Sequence, residues 1–200
     1  MNSRNNYNRW LKKKYRDLYL DCRLHGDKAV FTWGSHHVIL ENVLKIINTG
    51  DVMELGMGYH STPFMHKLIE KQNGRKLLSL DESKKWAKKF MEYSRNWHLI
   101  EVFDVEKFMN KDYPYFNQKW SVVFIDVHPP EARQVFINAM IDKVDYFIVH
   151  DTENIYKKTC AYKYDFTGFK HVFNYGKELP MTSVLTNRDD IPVELINLFK

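Results

Sequence analysis

Short apolar runs alternate with segments of helical periodicity along most of the chain, and this alternation predicts repeated βα units around a mostly parallel sheet. The apolar runs predict strands at residues 51–55, 76–80, 98–102, 121–126 and 145–150. The segments between them predict helices that begin near Ser61, Ser83, Pro130 and Glu153. An earlier helix is expected to begin near Ser35, with that serine as its N-cap, and to end before Gly50.

The end of the sequence departs from this alternation. Two strand-like runs, residues 171–175 and 182–186, are separated by only six residues. A connection this short cannot hold a crossover helix, whereas it can join two antiparallel neighbours. We therefore expect an α/β fold in which an antiparallel hairpin closes an otherwise parallel sheet.

Composition narrows the class of protein. The chain has 200 residues, of which 44% are hydrophobic and 15% aromatic, which is enough for one domain with a substantial core and excludes a disordered chain. Its two cysteines, Cys22 and Cys160, form no CxxC pair, so we expect free thiols rather than a zinc ribbon or a redox motif. The sequence contains no run of eighteen apolar residues and no signal-peptide pattern, so we expect a cytoplasmic protein without membrane insertion.

The first residues are strongly basic. Net charge is +5, and six of the first sixteen residues are Lys or Arg. Leu11, Tyr15, Leu18 and Cys22 recur at helical spacing and predict an amphipathic helix with a basic outer face. This helix is either a solvated cap or a docking surface for an acidic partner. We expect residues 1–50 to form a helical cap on an α/β domain of residues 51–200, within a single domain overall.

Candidate chemistry lies where the strands end, because open α/β sheets bind ligands at the carboxyl ends of their strands. After the first strand the sequence reads Glu54-x-Gly56-x-Gly58, and glycines allow a ligand to approach the backbone closely. Ser61 or Thr62 can cap the next helix, whose N-terminus attracts negative charge. The alternative is a tight turn that binds nothing.

Two acids follow the next two strands. Asp81 lies 25 residues beyond Gly56, where a carboxylate suits two ribose hydroxyls, unless it only favours the first turn of the next helix. Asp104 follows the third strand and could accept a hydrogen bond from an adenine amino group, or be an ordinary loop aspartate.

Together, the E-x-G-x-G pattern, the acids after strands two and three and the terminal hairpin resemble class I S-adenosylmethionine (SAM)-dependent methyltransferases. The resemblance runs from about residue 32 to residue 187. Five stretches are similar to a group of small stand-alone members: residues 58–63 (GYHSTP), residues 122–126 (VVFID), the cluster Pro129, Glu131 and Arg133, residues 150–153 (HDTE) and residues 182–187 (TSVLTN).

The resemblance implies a Rossmann-like, seven-stranded, mostly parallel sheet with a C-terminal antiparallel hairpin strand and helices on both faces. It also implies SAM as cofactor. The methionine part of SAM would lie over Glu54, Gly56 and Gly58, the ribose on Asp81, and the adenine near Asp104.

Methyl transfer to a hydroxyl requires alignment of the acceptor and removal of its proton. Asp126 and His128 follow the fourth strand, and His150 and Asp151 end the fifth, so adjacent parallel strands would bring them together. His128 or His150 is the expected base, because imidazole titrates nearest to neutral pH, and Asp126 is expected to orient it. The alternative is a polar cluster that only satisfies the strand ends.

A divalent cation is a further possibility, because some class I O-methyltransferases hold one with carboxylates after strands four and five. Asp126 and Asp151 match those ligands and would suit Mg²⁺ or Mn²⁺, although no third carboxylate or amide ligand is evident in the sequence.

Several functions remain open from the sequence. O-methylation of a small-molecule or sugar hydroxyl is the first expectation, and methylation of nucleic acid or protein is the second. A nicotinamide-linked oxidoreductase and a non-catalytic scaffold are two further hypotheses. His60 argues against the oxidoreductase, because it replaces the third glycine of a dinucleotide-binding loop.

Other polar residues have less definite expectations. The stretch at residues 31–37, which includes His36 and His37, either folds over the cofactor mouth or only begins a helix. His98 is expected to be structural or on the surface, and Arg133 either engages an anion or faces solvent.

Overall fold

The computed structural model describes residues 30–31, 34–110, 112–128, 130–152 and 164–200. Within these ranges the strands are β1 (Val30–Phe31), β2 (Val52–Leu55), β3 (Leu77–Asp81), β4 (His98–Val102), β5 (Trp120–Ile125), β6 (Val144–His150), β7 (His171–Tyr175), β8 (Glu178–Leu179) and β9 (Thr182–Thr186). The α-helices are α1 (His37–Ile46), α2 (Thr62–Glu70), α3 (Lys84–Ala87), α4 (Val105–Met109), α5 (Pro130–Met140) and α6 (Val193–Leu198). Two 3₁₀ turns span Lys88–Tyr93 and Pro114–Asn117.

Seven of these strands form one sheet in the order β4-β3-β2-β5-β6-β9-β7. The first five pair in parallel, while β9 pairs antiparallel with both β6 and β7. The predicted fold class and the antiparallel hairpin are therefore confirmed. Within the hairpin connection, the short strand β8 pairs in parallel with β1.

The order of strands reverses at β2. Glu54 of β2 is in register with Ser79 of β3 on one side and with Phe124 of β5 on the other. The chain thus runs outward through β3 and β4 and then returns to β5. This reversal opens a crevice above the carboxyl ends of β2 and β5, the usual ligand position in open α/β sheets.

Each face of the sheet has its own apolar core. One core contains Met53, Val123 and Phe147 of the strands with Phe136 of α5. The other packs α1, α2 and α6 on the opposite face. Successive side chains of a strand point to opposite faces of the sheet. Because both faces are covered, both sets of side chains are apolar. Each fully buried aliphatic or aromatic side chain stabilises the fold by about 1.5–3 kcal/mol.

The prediction that Ser35 caps the first helix is wrong. The helix begins at His37, His36 occupies the cap position without a side-chain cap bond, and the Ser35 hydroxyl donates instead to Pro180 O at 2.8 Å. Ser35 therefore ties the start of α1 to the β7–β9 connection. At α3 the predicted serine does cap, because Ser83 Oγ accepts a hydrogen bond from Trp86 N.

Some expectations fall on residues that the structure does not describe. These are the basic amphipathic helix within residues 1–29, both cysteines and the helix expected near Glu153. The division into a cap of residues 1–50 and a domain of residues 51–200 stays a prediction. Across the described part of the chain, no helix is long and apolar enough to cross a membrane.

Candidate functional site

Gly56 lies where the loop after β2 crosses the end of β5. Its φ is 95°, a conformation that favours glycine. A Cβ added there would lie 2.5 Å from the carbonyl group of Asp126 and from Val127 N. The close approach that the glycine permits is therefore to the neighbouring strand end, which fixes the loop above β2 and β5.

Glu54, on β2, also holds this loop in place. Its carboxylate is fully buried and accepts hydrogen bonds from Thr62 Oγ1 at 3.0 Å and from Ser79 Oγ at 2.5 Å. The Thr62 hydroxyl in turn accepts from Gly58 N at 3.1 Å. Burial raises the pKa of Glu54 to about 7, although hydrogen bonds from Ser61, Ser79 and Thr62 oppose the rise. Ser61 occupies the cap position of α2 but makes no side-chain cap bond there.

A buried polar chain continues from Glu54. Ser79 Oγ lies 2.9 Å from His98 Nε2, and His98 Nδ1 lies 2.9 Å from His66 Nδ1. Burial lowers the pKa of His98 to about 3, so its ring is neutral. Because Ser79 donates to Glu54, it accepts from His98 Nε2, and His98 Nδ1 then accepts from His66. His98 is structural as expected, but it has partners that the sequence did not reveal.

Asp81 joins the loops that follow β2 and β3. Its Oδ2 accepts from Met57 N at 3.0 Å, and its Oδ1 accepts from Ser83 N at 2.9 Å. A carboxylate can accept more hydrogen bonds than these two, so Asp81 can also accept from a donor such as a ribose hydroxyl. On the other side, Trp86 Nε1 donates to Met57 O at 2.6 Å. The backbone at Met57 is thus held by both a carboxylate and an indole.

Asp104 is exposed and caps α4, where its Oδ1 accepts from Lys107 N at 3.0 Å. This bond satisfies one of the free N–H groups at the helix start. The expected contact between Asp104 and adenine stays a prediction.

Arg133 is buried between the ends of β5 and β6. Its Nη2 donates to Asp126 Oδ1 at 2.8 Å, and its Nη1 lies 3.2 Å from Asp151 Oδ2. The same guanidinium donates to Val127 O at 2.8 Å and to His150 O at 3.0 Å. The structure therefore brings together the predicted Asp126, His150 and Asp151, and it adds an arginine whose role the sequence left open.

This arrangement does not fit the expected metal site. A guanidinium already balances the charge of both Asp126 and Asp151 and occupies the space between them. In the described ranges, no group of three or more His, Cys, Asp or Glu side chains is placed to hold a metal ion. We therefore derive no chemical step through a cation.

The two candidate bases have different surroundings. His150 is buried, with Nδ1 3.1 Å from Thr182 Oγ1 and Nε2 3.8 Å from Asp151 Oδ1. His128 is exposed. Burial raises the pKa of Glu82 beside Asp81, and the charge of His128 opposes that rise. Asp126, expected to orient a histidine, forms its ion pair with Arg133 instead.

The segment before α1 also reaches the site. The His36 ring lies 4.8 Å from the His150 ring, measured between centroids. His37 Nε2 makes a hydrogen bond with His60 O at the end of the loop after β2, and its ring stacks on Phe64 at 4.4 Å. The sequence placed residues 31–37 either over this region or only at the start of a helix, and it did not specify these contacts.

No protein-family model and no curated protein matches the chain, whereas solved structures do. An O-methyltransferase from Bacillus cereus in complex with S-adenosylhomocysteine (SAH) superposes with a TM-score of 0.55 at 10% identity, over 89% of this chain and 96% of that one. An O-methyltransferase from Streptomyces achromogenes involved in tomaymycin synthesis, in complex with SAM, gives 0.58 at 10% identity over 82% and 84%. Human methyltransferase-like protein 13 in complex with SAH gives 0.57 at 11% identity over 82% and 85%.

These likenesses show the fold. The chain has the Rossmann-like architecture of class I SAM-dependent methyltransferases, as its sequence predicted.

Proposed function

We propose that this protein is a SAM-dependent methyltransferase that methylates a hydroxyl group of a small molecule or sugar. The observation that carries the proposal is the loop after β2. Glu54 fixes it from below through Thr62, and Asp81 holds Met57 N at 3.0 Å from the side. A loop held in this way at the switch in strand order is preorganised for a nucleoside ligand.

The cofactor residues have separate roles in this proposal. The loop at Gly56 and Gly58 would hold the methionine part of SAM, and Glu54 would act through this loop because its carboxylate is fully buried. The Asp81 carboxylate would accept hydrogen bonds from the ribose hydroxyls, and Asp104 would contact the adenine. Ser61 lies at the N-terminus of α2, which favours a carboxylate nearby.

Bound SAM supplies an electrophilic methyl group on a sulfonium sulfur. The protein must hold the acceptor hydroxyl in line with that methyl and take its proton. We assign this proton to His150, whose Nδ1 lies 3.1 Å from Thr182 Oγ1 and whose Nε2 lies 3.8 Å from Asp151 Oδ1. His128 is the second candidate. Asp126 acts through Arg133, which keeps both strand ends in place.

Metal is not needed in this mechanism. Arg133 supplies the positive charge that Asp126 and Asp151 require, and proton removal by a histidine replaces activation of the hydroxyl by a cation.

One observation favours a second candidate function, methylation of nucleic acid. A basic surface borders the cofactor loop: Lys89 Nζ lies 3.9 Å from the Trp86 ring centroid, and Tyr59 is 60% exposed. Exposed aromatic rings among lysines suit stacked bases and phosphates. The lysines of this surface are Lys84, Lys85, Lys88 and Lys89, all exposed.

Calorimetric titration with SAH tests the proposal. We expect binding that EDTA and added Mg²⁺ or Mn²⁺ leave unchanged. No binding at near-millimolar SAH would contradict the proposal and favour a non-catalytic scaffold. Loss of affinity in EDTA, restored by Mn²⁺, would contradict the metal-independent mechanism.

Transfer from labelled SAM to sugars, phenols and RNA then separates the two acceptor classes. His150→Ala is expected to lower turnover at least about 100-fold while SAH affinity is kept, the range of general-base catalysis. His128→Ala serves as the matched variant, and the reverse result would assign the base to it. RNA binding that weakens steeply with salt would favour the second function.

A further inference from the structure

His36 is a buried side chain without the hydrogen bonds that burial normally requires. The residue is 3% exposed. Neither Nδ1 nor Nε2 has a hydrogen-bond partner among the residues that the structure describes. Nearly all buried polar atoms in folded proteins have a partner, because an unmade bond destabilises the fold. A buried acceptor that lacks one at a strand-end crevice suits a ligand that supplies the donor.

The His36 ring lies beside two parts of the candidate site, the proposed base and the loop after β2. Its centroid lies 4.8 Å from that of His150 at the end of β6 and 5.1 Å from that of Phe124 on β5. His60, at the end of the cofactor loop, is also close enough to lower the pKa of the ring. The His60 carbonyl lies near the ring but makes no hydrogen bond of normal geometry to it. His36 therefore adjoins both the proposed base and the proposed cofactor loop.

The backbone holds His36 firmly in this position. Its carbonyl oxygen accepts from Leu40 N at 2.9 Å in the first turn of α1. The preceding residue, Ser35, is bonded to Pro180 O at 2.8 Å. The backbone that carries the ring is thus fixed before any ligand arrives, as that of a binding residue should be.

We infer that His36 binds the methyl acceptor, and that a ring nitrogen of His36 accepts a hydrogen bond from a hydroxyl of an uncharged acceptor. This inference rests on the proposed function and specifies its substrate class. Burial is the main cause that lowers the pKa of His36 well below its usual value, and the neighbouring His150 and His37 lower it further. The ring is therefore neutral. Arg133, which donates to the His150 carbonyl, is already balanced by two carboxylates. A neutral, desolvated site of this kind favours a sugar or phenol hydroxyl over a phosphate.

The test uses His36→Phe and His36→Leu, with His37→Phe as the matched control. Removing an unpaired buried polar group relieves its desolvation cost, so both His36 variants should raise the Tm by at least about 2 °C. His37 does have a hydrogen bond, to His60 O. His37→Phe should therefore lower the Tm. SAH affinity of the His36 variants should stay within about twofold of wild type, because the ring is assigned to the acceptor.

Each outcome decides the assignment. A Tm that falls in both His36 variants gives the ring a structural role and overturns the inference, as does a tenfold loss of SAH affinity confined to those variants. Failure of the wild-type protein to bind SAH would instead overturn the proposed function. With an acceptor found in the sugar and phenol panel, His36→Phe should reduce kcat/KM at least about 30-fold, or about 2 kcal/mol. Unchanged turnover, or a preference for the phosphorylated form of that acceptor, would contradict the inference.

Discussion

The Arg133 guanidinium and the Asp126 carboxylate lie 2.8 Å apart, with 4% of the arginine side chain and 30% of the aspartate side chain exposed. Arg133 lies on α5, and Asp126 directly follows β5. The same arginine binds the backbone carbonyls of Val127 and His150. One side chain therefore fixes the ends of two adjacent strands, and with them the proposed base.

We expect Arg133→Ala to lower the free energy of unfolding by about 3–5 kcal/mol, because it leaves two partly buried carboxylates and the carbonyls of Val127 and His150 without their donor. Arg133→Lys should recover only part of this loss, since an ammonium cannot reach the same set of acceptors. Urea denaturation measures both. Lys170→Ala is the control, because its ion pair with Asp189 is exposed and should contribute less than about 1 kcal/mol. Equal effects of Arg133→Ala and Lys170→Ala would contradict this role.

Substitutions at two glycines with positive φ distinguish the cost of a strained backbone from the cost of a steric clash. Gly56 and Gly74 have φ values of 95° and 79°, but an added Cβ meets atoms at 2.5 Å only at Gly56 and has nothing within 4 Å at Gly74. Gly74→Ala should therefore cost only the left-handed strain, about 1–2 kcal/mol. Gly56→Ala should cost more and weaken SAH binding at least about tenfold, since the loop must move. Thermal unfolding and calorimetry measure these effects, and equal losses at the two positions would be inconsistent with the packing.

Asp81→Asn tests the ribose assignment. The new NH₂ group would face either Met57 N–H or Ser83 N–H, and a ribose hydroxyl would lose an acceptor. We expect SAH affinity to fall at least about tenfold, or about 1.4 kcal/mol. Asp104→Ser is the companion variant, because serine keeps the cap on α4 but is too short to reach an adenine. Unchanged SAH affinity in either variant would remove that residue from the cofactor site.

Glu54 should make stability depend on pH. Its pKa is raised from 4.5 to about 7 in the folded protein, so the folded state holds a proton that the unfolded state has lost between these values. The stabilisation that comes from this proton is complete below pH 4.5 and is lost as pH rises through about 7. The loss amounts to about 3 kcal/mol at most. The pKa of His98 is lowered instead, so the contribution of His98 to stability is lost as pH falls below 6.5.

The difference between wild type and Glu54→Gln isolates the first effect. We expect the variant to gain stability relative to wild type as pH rises from 5 to 8, measured by urea unfolding in a series of buffers. A difference that does not change with pH would show that Glu54 is ionised throughout this range.

The sequence by itself determined where the main strands lie and which of them run antiparallel. Strand His98–Val102 and the hairpin strands His171–Tyr175 and Thr182–Thr186 have the predicted bounds. These elements depend on apolar runs and short connections, which are local properties of the chain. The same reasoning put Glu54, Asp81, Asp126 and His150 at strand ends, because parallel strands align those ends at one edge.

Only the tertiary structure decided which of these groups meet. Arg133 is one turn into a helix, and the sequence left open whether it engages an anion or faces solvent. It is buried only because that helix packs beside β5 and β6. His36 precedes the sheet by a whole helix, yet its ring lies 4.8 Å from that of His150. Such contacts depend on how helices dock on the sheet, and no spacing within the sequence encodes that distance. For the same physical reason, the carboxylates expected to hold a metal are instead balanced by an arginine.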